Sequence, residues 1–233
     1  MGENCLTRGG EQLERLRSFG KLYIAETCVG TRALGPGLRS VVWVQGCPFH
    51  CAGCIAPEWI PAEPAGGPAR VADPADLAEE MLAHPGVTGL TFSGGEPMSQ
   101  AAGLAQVIEA ARQVRDLTLI CFTGYRLAEL RTRPPGPGVA DLLAQTDVLI
   151  DGRYVAARND GRGLRGSANQ QVHFLTGRLQ DAEEELAGGP RRSEIRLRGG
   201  SALLVGVPGP GVSEAFDRAV AAGRRTGAAP PSG

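Results

Sequence analysis

Three of the six cysteines in this 233-residue chain fall within eight residues, in the run Cys47-Pro-Phe-His-Cys51-Ala-Gly-Cys54. A loop with gaps of three and two residues can turn three sulfurs toward one centre. In a chain of this size without a secretory context, clustered cysteines mean metal or redox chemistry more often than disulfides. Three thiolates fall one short of the four ligands that hold closed zinc sites and common ferredoxin clusters. His50 completes a Cys3His zinc site on paper, but it is adjacent to Cys51, and aiming both side chains at one ion strains the loop. The other solution is a [4Fe–4S] cube on three cysteines, whose fourth iron stays open for substrate. Cys5, Cys28 and Cys121 carry no partner motif, and Cys121, in an apolar run, reads as a small core residue.

A second loop, Ser93-Gly94-Gly95-Glu96-Pro97, also carries chemistry. Adjacent glycines let the backbone approach a ligand closely, and Glu96 adds a carboxylate suited to an ammonium group. Such a turn is a weak signal by itself. It gains force because both loops follow strands, and ligands of parallel α/β sheets gather at the carboxyl ends of strands.

The elements that must position these loops follow from periodicity. Lys21–Glu26 and Ser40–Gln45 read as strands, the second bounded by Gly35-Pro36-Gly37 and Gly46. Cys47–Gly67 is too rich in Pro, Gly and Cys for a regular element. A helix starts at Asp73-Pro74, with Leu77, Met81 and Leu82 on one face. Val87–Phe92, Leu117–Phe122 and Val148–Ile150 read as strands. Residues 98–114, Arg126–Arg131 and Val139–Gln145 read as helices, with Arg133–Gly138 as a break. Apolar strands alternating with amphipathic helices indicate parallel β-α units. Beyond Asp151 the rhythm loosens: Glu194–Arg198 and Ala202–Val207 read as a hairpin across Gly199-Gly200, and Ser213–Ala222 as a last helix.

Composition narrows the class. Lys and Arg total 24 against 25 Asp and Glu, which speaks against a grip on nucleic acid that relies on neutralising phosphates. Only Lys21 is lysine, which reads as coding bias, since the chain is also rich in Ala, Gly and Pro. The apolar share of 42% and net charge of −1 argue against disorder. No apolar run approaches the roughly 20 residues of a spanning helix, and the first thirty residues lack a signal-peptide core, so no membrane contact and a cytoplasmic location are expected.

Taken with their flanks, the motifs resemble the radical S-adenosylmethionine (SAM) superfamily, and within it the activating enzymes of glycyl-radical enzymes, above all the activase of the anaerobic ribonucleotide reductase. The likeness rests on Trp-Val-Gln-Gly-Cys before the cysteine loop, Cys51-Ala-Gly-Cys54 within it and Pro57-Glu58-Trp59 after it. It extends through Thr91–Pro97, Thr123-Gly124-Tyr125, Asp147–Gly152 and Leu164–Gln170, covering about residues 20–175. The resemblance implies an α/β fold, an incomplete (β/α) barrel of the radical SAM type with a short C-terminal β-α extension. The expected organisation is an N-terminal lead-in (1–19), a core (20–175), an extension (176–222) and a flexible tail (223–233).

It also implies roles. Cys47, Cys51 and Cys54 would hold one [4Fe–4S] cluster, and no other catalytic residue is expected. Gly94, Gly95 and Glu96 would contact the SAM amino group, and Ser93 is a further cofactor-binding candidate. Gly53 would lie beside the adenine, although many members carry an aromatic residue there. Thr123 and Gly124 would lie near the ribose or adenine, with Asp151 a weaker candidate at the next strand end. The implied partners are a large glycyl-radical enzyme and a flavodoxin- or ferredoxin-type electron donor. Two alternatives stay open: a radical SAM enzyme acting directly on a peptide or small metabolite, and a non-catalytic zinc or iron–sulfur module.

Overall fold

The computed structural model describes residues 20–62, 69–198 and 201–226. The expected lead-in, Cys5, the Gly199-Gly200 turn and the last seven residues lie outside the described residues.

A seven-stranded open sheet forms the body of the protein. Its strands are β1 (Leu22–Thr31), β2 (Arg39–Val44), β3 (Arg70–Ala72), β4 (Gly89–Gly94), β5 (Thr118–Thr123), β6 (Val148–Asp151) and β7 (Gln171–Phe174), in the order β3-β1-β2-β4-β5-β6-β7. The central strands β2, β4, β5 and β6 run parallel, as their near-continuous apolar runs require. β1 joins β2 antiparallel with two register shifts, which lets it continue past the polar Glu26–Thr27 pair where the sequence pattern ended it. The short edges β3 and β7 are antiparallel and half exposed.

Helices α1 (Pro74–Met81), α2 (Ala101–Val114), α3 (Leu127–Thr132) and α4 (Val139–Gln145) link the parallel strands. Asp73 caps α1 by accepting the Ala75 N–H (2.9 Å). Alternation along the strands divides the core. Leu90, Phe92, Leu119 and Leu149 pack with Leu77, Leu104, Ile108 and Leu142 of the helices. Val41, Trp43, Ile120 and Ile150 face the other side, where they meet Leu186, Val205 and Val207 of the C-terminal segment. That segment comprises α5 (Glu183–Gly188), a hairpin of β8 (Ser193–Arg198) and β9 (Ser201–Gly206), and α6 (Val212–Thr226). α6 thus continues four residues beyond the predicted Ala222.

At the amino ends of the strands, buried Arg39 ties β2, β4 and β5 together. Its Nε donates to Thr91 Oγ1 (2.8 Å), Nη1 to Thr118 Oγ1 (2.9 Å) and Nη2 to the carbonyls of Thr118 (3.1 Å) and Leu90. Burial lowers its pKa to about 9, and the acceptors keep the charge tolerable. The opposite rim, at the carboxyl ends, is left for chemistry. No helix among the described residues is long and apolar enough to cross a membrane.

Candidate functional site

The cysteine loop is a closed excursion from the end of β2. Gly46 N–H donates to Trp59 O and Cys47 N–H to Ile60 O, both at 2.9 Å, so the loop leaves and returns at one point. Gln45 secures the return by donating its side-chain N–H groups to Pro61 O (2.6 Å) and Glu58 O (3.2 Å). Trp43 of β2 packs on Trp59 with ring centroids 5.8 Å apart. Pro57–Trp59 forms a single 3-10 turn, a regular element where the sequence pattern predicts none; the other described residues of the loop, 47–56 and 60–62, are irregular.

The Gly-Gly-Glu-Pro turn is bonded directly to this loop. Gly95 N–H donates to Val44 O (2.7 Å), and Glu96 N–H donates to Gly46 O (2.9 Å). A Cβ on Gly95 would lie 2.2 Å from Gly46 O, so only glycine lets the two strand ends approach this closely.

Glu96 is buried, and its carboxylate joins a third strand end to the site. Oε1 accepts the Met98 N–H (2.9 Å) and the Thr123 hydroxyl (2.8 Å), while Oε2 accepts the Gly124 N–H (2.7 Å). A carboxylate offers about four acceptor positions, so one position on Oε2 remains for a ligand N–H. Burial, only partly offset by these three donors, raises its pKa to about 7.

Gly124 also makes room for Phe49, which lies inside the cysteine loop. A Cβ at Gly124 would meet the Phe49 ring at 2.5 Å. Tyr125 packs edge-on against that ring at 4.7 Å, and the Arg153 guanidinium lies 4.5 Å over it. Sequence reasoning missed Phe49 and Arg153, because nothing local marks residues about a hundred positions apart as partners.

Cys47, Cys51, Cys54, Ser93, Gly94, Gly95, Glu96, Thr123 and Gly124 all line one cavity of about 460 Å³. Gly53 and Asp151 are not among its lining residues. Gly53 turns the loop outside it, in the left-handed region (φ 74°) beside Ala156. The Asp151 carboxylate accepts the Leu127 N–H at the start of α3 (2.7 Å) and an Arg126 N–H (3.2 Å), and meets His173 Nε2 at 2.9 Å. It organises the rim from behind. Gln170 acts similarly, donating to Gly152 O (2.6 Å) and accepting the Gly166 N–H (2.7 Å).

The donor set suits an iron–sulfur cluster. Cys47, Cys51 and Cys54 all line this one cavity, and three thiols facing one space would hold such a cluster. His50 is exposed. Burial pushes the Cys47 thiol up to about 11 and raises Cys54 as well. Ligation requires thiolates, so cluster loading expels protons here.

Comparison with known proteins agrees with this geometry. Residues 33–173 match the family model described as a 4Fe-4S single cluster domain. The anaerobic ribonucleoside-triphosphate reductase-activating protein of Vibrio cholerae is 34% identical over 150 residues, covering 61% of this chain and 91% of that protein. Its namesake from Salmonella typhimurium is 32% identical over 150 residues, covering 60% and 91%. The pyruvate formate-lyase-activating enzyme of Clostridium pasteurianum is 30% identical over 143 residues, covering 57% and 54%. By its three-cysteine loop and by the extent of these matches, the chain belongs to the 4Fe-4S single cluster domain family, among the anaerobic ribonucleoside-triphosphate reductase-activating proteins.

Proposed function

We propose that this protein uses one [4Fe–4S] cluster and SAM to place a radical on a backbone glycine of a large partner enzyme. The observation that carries this reading is the fusion of the cysteine loop to the Gly-Gly-Glu-Pro turn through the Gly95–Val44 and Glu96–Gly46 hydrogen bonds. When bound, the cluster would supply the one-electron reduction that cleaves SAM and so permits removal of the glycine Cα hydrogen, with an external donor providing the electron.

The chain's own part is to hold, orient and shield. Cys47, Cys51 and Cys54 would hold the cluster through their thiolates. The free acceptor position on Glu96 Oε2 takes an N–H of the SAM amino group, with Ser93 and the bare backbone of Gly94 and Gly95 alongside. Thr123 and Gly124 hold Glu96 in register and form the wall beside the nucleoside. Gly53 shapes the loop from outside the cavity. Asp151 is a positioning residue that orients the start of α3. Trp43 and Trp59 keep water from the loop's base.

The winding supports an incomplete (β/α) barrel as the core over 20–175, with 176–222 as an extension and the tail after it. The parallel strands β2, β4, β5 and β6 follow one another across the sheet in one direction, and the helices linking them pack on one face, as in barrels. A flavodoxin- or ferredoxin-type protein is the proposed donor, and the cytoplasm the proposed location.

The test is to incubate the anaerobically reduced, cluster-loaded protein with SAM and the source organism's anaerobic ribonucleotide reductase. A glycyl-radical EPR signal on the reductase, matched by an equal amount of 5′-deoxyadenosine, is expected. 5′-Deoxyadenosine without a protein radical would move the reaction to a different substrate.

A further inference from the structure

The family match ends at residue 173, yet the cavity does not. Ala202, Leu203 and Leu204 of β9 line it, together with Ser213, Phe216 and Asp217 of α6. The extension is therefore a wall of the reaction chamber. Arg191, whose side chain is 6% exposed, fixes it there. Its guanidinium donates to Pro208 O (2.8 Å) beyond β9 and to Gly166 O (3.2 Å) in the core, two carbonyls whose residues both line the cavity.

Three successive residues of a strand cannot all send their side chains the same way. When Ala202, Leu203 and Leu204 all line a cavity, the strand presents its edge. β9 has one partner, β8, in antiparallel register from Arg198↔Ser201 to Ser193↔Gly206. Arg198 and Ser201, three positions apart, form the bonded pair nearest the turn. The alternation of an antiparallel ladder then directs the N–H and C=O groups of Ala202 and Leu204 away from β8. Among the described residues no hydrogen bond satisfies these outward groups.

Charge limits what can fill this edge. Among the described residues, the charged lining residues are Glu58, Glu96, Asp217 and one cation, Arg153, and Arg153 is spread over the Phe49 ring. A phosphate-bearing substrate would meet more negative than positive charge. An extended peptide backbone is neutral and supplies the N–H and C=O groups that an open strand edge lacks.

We infer that the substrate polypeptide adds to β9 as a third strand, so that the C-terminal extension seats its glycine backbone in the chamber lined by the cysteine loop. This rests on the reading that the substrate is a polypeptide glycine. Phe216 of α6 lines the same cavity.

The test uses the full-length, cluster-loaded protein and a capped heptapeptide of alternating valine and threonine with glycine at its centre. Residue-resolved hydrogen exchange is read with and without millimolar peptide. The Ala202 and Leu204 amides should slow by about tenfold or more, and a peptide N-methylated along the pairing edge should leave them unchanged. Leu204→Pro, which removes an outward N–H at an edge position that tolerates proline, should weaken peptide binding by about tenfold relative to Leu204→Ala. If Leu204→Pro does not fold, the pair of peptides on the wild-type protein decides alone. No slowing at β9, or equal slowing by both peptides, overturns the inference. SAM cleavage on the same sample separates the two claims: cleavage without β9 protection refutes strand addition alone, and β9 protection without cleavage refutes the radical chemistry alone.

Discussion

Gly95→Ala probes the junction on which the site depends. The new Cβ would lie 2.2 Å from Gly46 O and 2.7 Å from Gly46 C. Both are backbone atoms, so no side chain can swing aside. Reaching ordinary contact requires the ends of β2 and β4 to part by about 1 Å, which close-packed interiors resist. That displacement would stretch the Gly95–Val44 and Glu96–Gly46 hydrogen bonds, now 2.7 and 2.9 Å, past useful length. Two lost hydrogen bonds at about 1 kcal/mol each, with about 1 kcal/mol or more of overpacking, give about 3 kcal/mol. For a chain of this size that lowers Tm by about 6–12 °C. The same shift separates Glu96 from the cysteine loop and should slow 5′-deoxyadenosine formation by about a hundredfold. Thermal unfolding and initial-rate assays on anaerobically reconstituted protein measure both. Gly177→Ala is the control, because a Cβ there meets nothing within 4 Å. A Gly95→Ala protein that matches wild type in Tm and rate would refute the idea that the two loops are locked together at this contact.

Three further outcomes are expected. Because burial raises the Glu96 pKa to about 7, the proposed role of its carboxylate as acceptor for the SAM amino group predicts an affinity that falls about tenfold per pH unit below neutrality and levels off above it; calorimetric titrations showing no dependence across neutral pH would contradict the assignment. Cys51→Ala should lose the cluster and SAM cleavage together, and a full iron content in that variant would remove Cys51 from the ligand set. Arg39→Met strands the carbonyls of Leu90 and Thr118 at the amino ends of the strands, so it should cost about 3 kcal/mol while SAM binding at low temperature persists; an unchanged Tm would show that the Arg39 hydrogen bonds contribute no net stability.

Much of the sheet is visible in the chain because its strands are buried on both faces and its helices are amphipathic. α4 occupies its predicted residues, Val139–Gln145, and Asp73-Pro74 starts α1 as cap and first turn. β3 and β7 escape such reading: three- and four-residue edge strands with half-exposed side chains carry too little pattern. The cysteine and glycine loops are legible because spacing is a local property. The Phe49–Gly124–Arg153 contact is not, since it depends on how distant strand ends meet. Asp151 is a ligand candidate by its place at a strand end, and spacing does not reveal that its carboxylate is engaged by Leu127, Arg126 and His173. The Glu96 carboxylate is likewise engaged by Thr123 and Gly124, a link between motifs that spacing alone does not reveal.

The most direct test of the central claim is EPR of the reconstituted protein reduced with dithionite, recorded with and without SAM, with 5′-deoxyadenosine assayed in the same tube. The account predicts a [4Fe–4S]⁺ signal that SAM perturbs, together with 5′-deoxyadenosine formation. A cluster signal indifferent to SAM and no 5′-deoxyadenosine would contradict it.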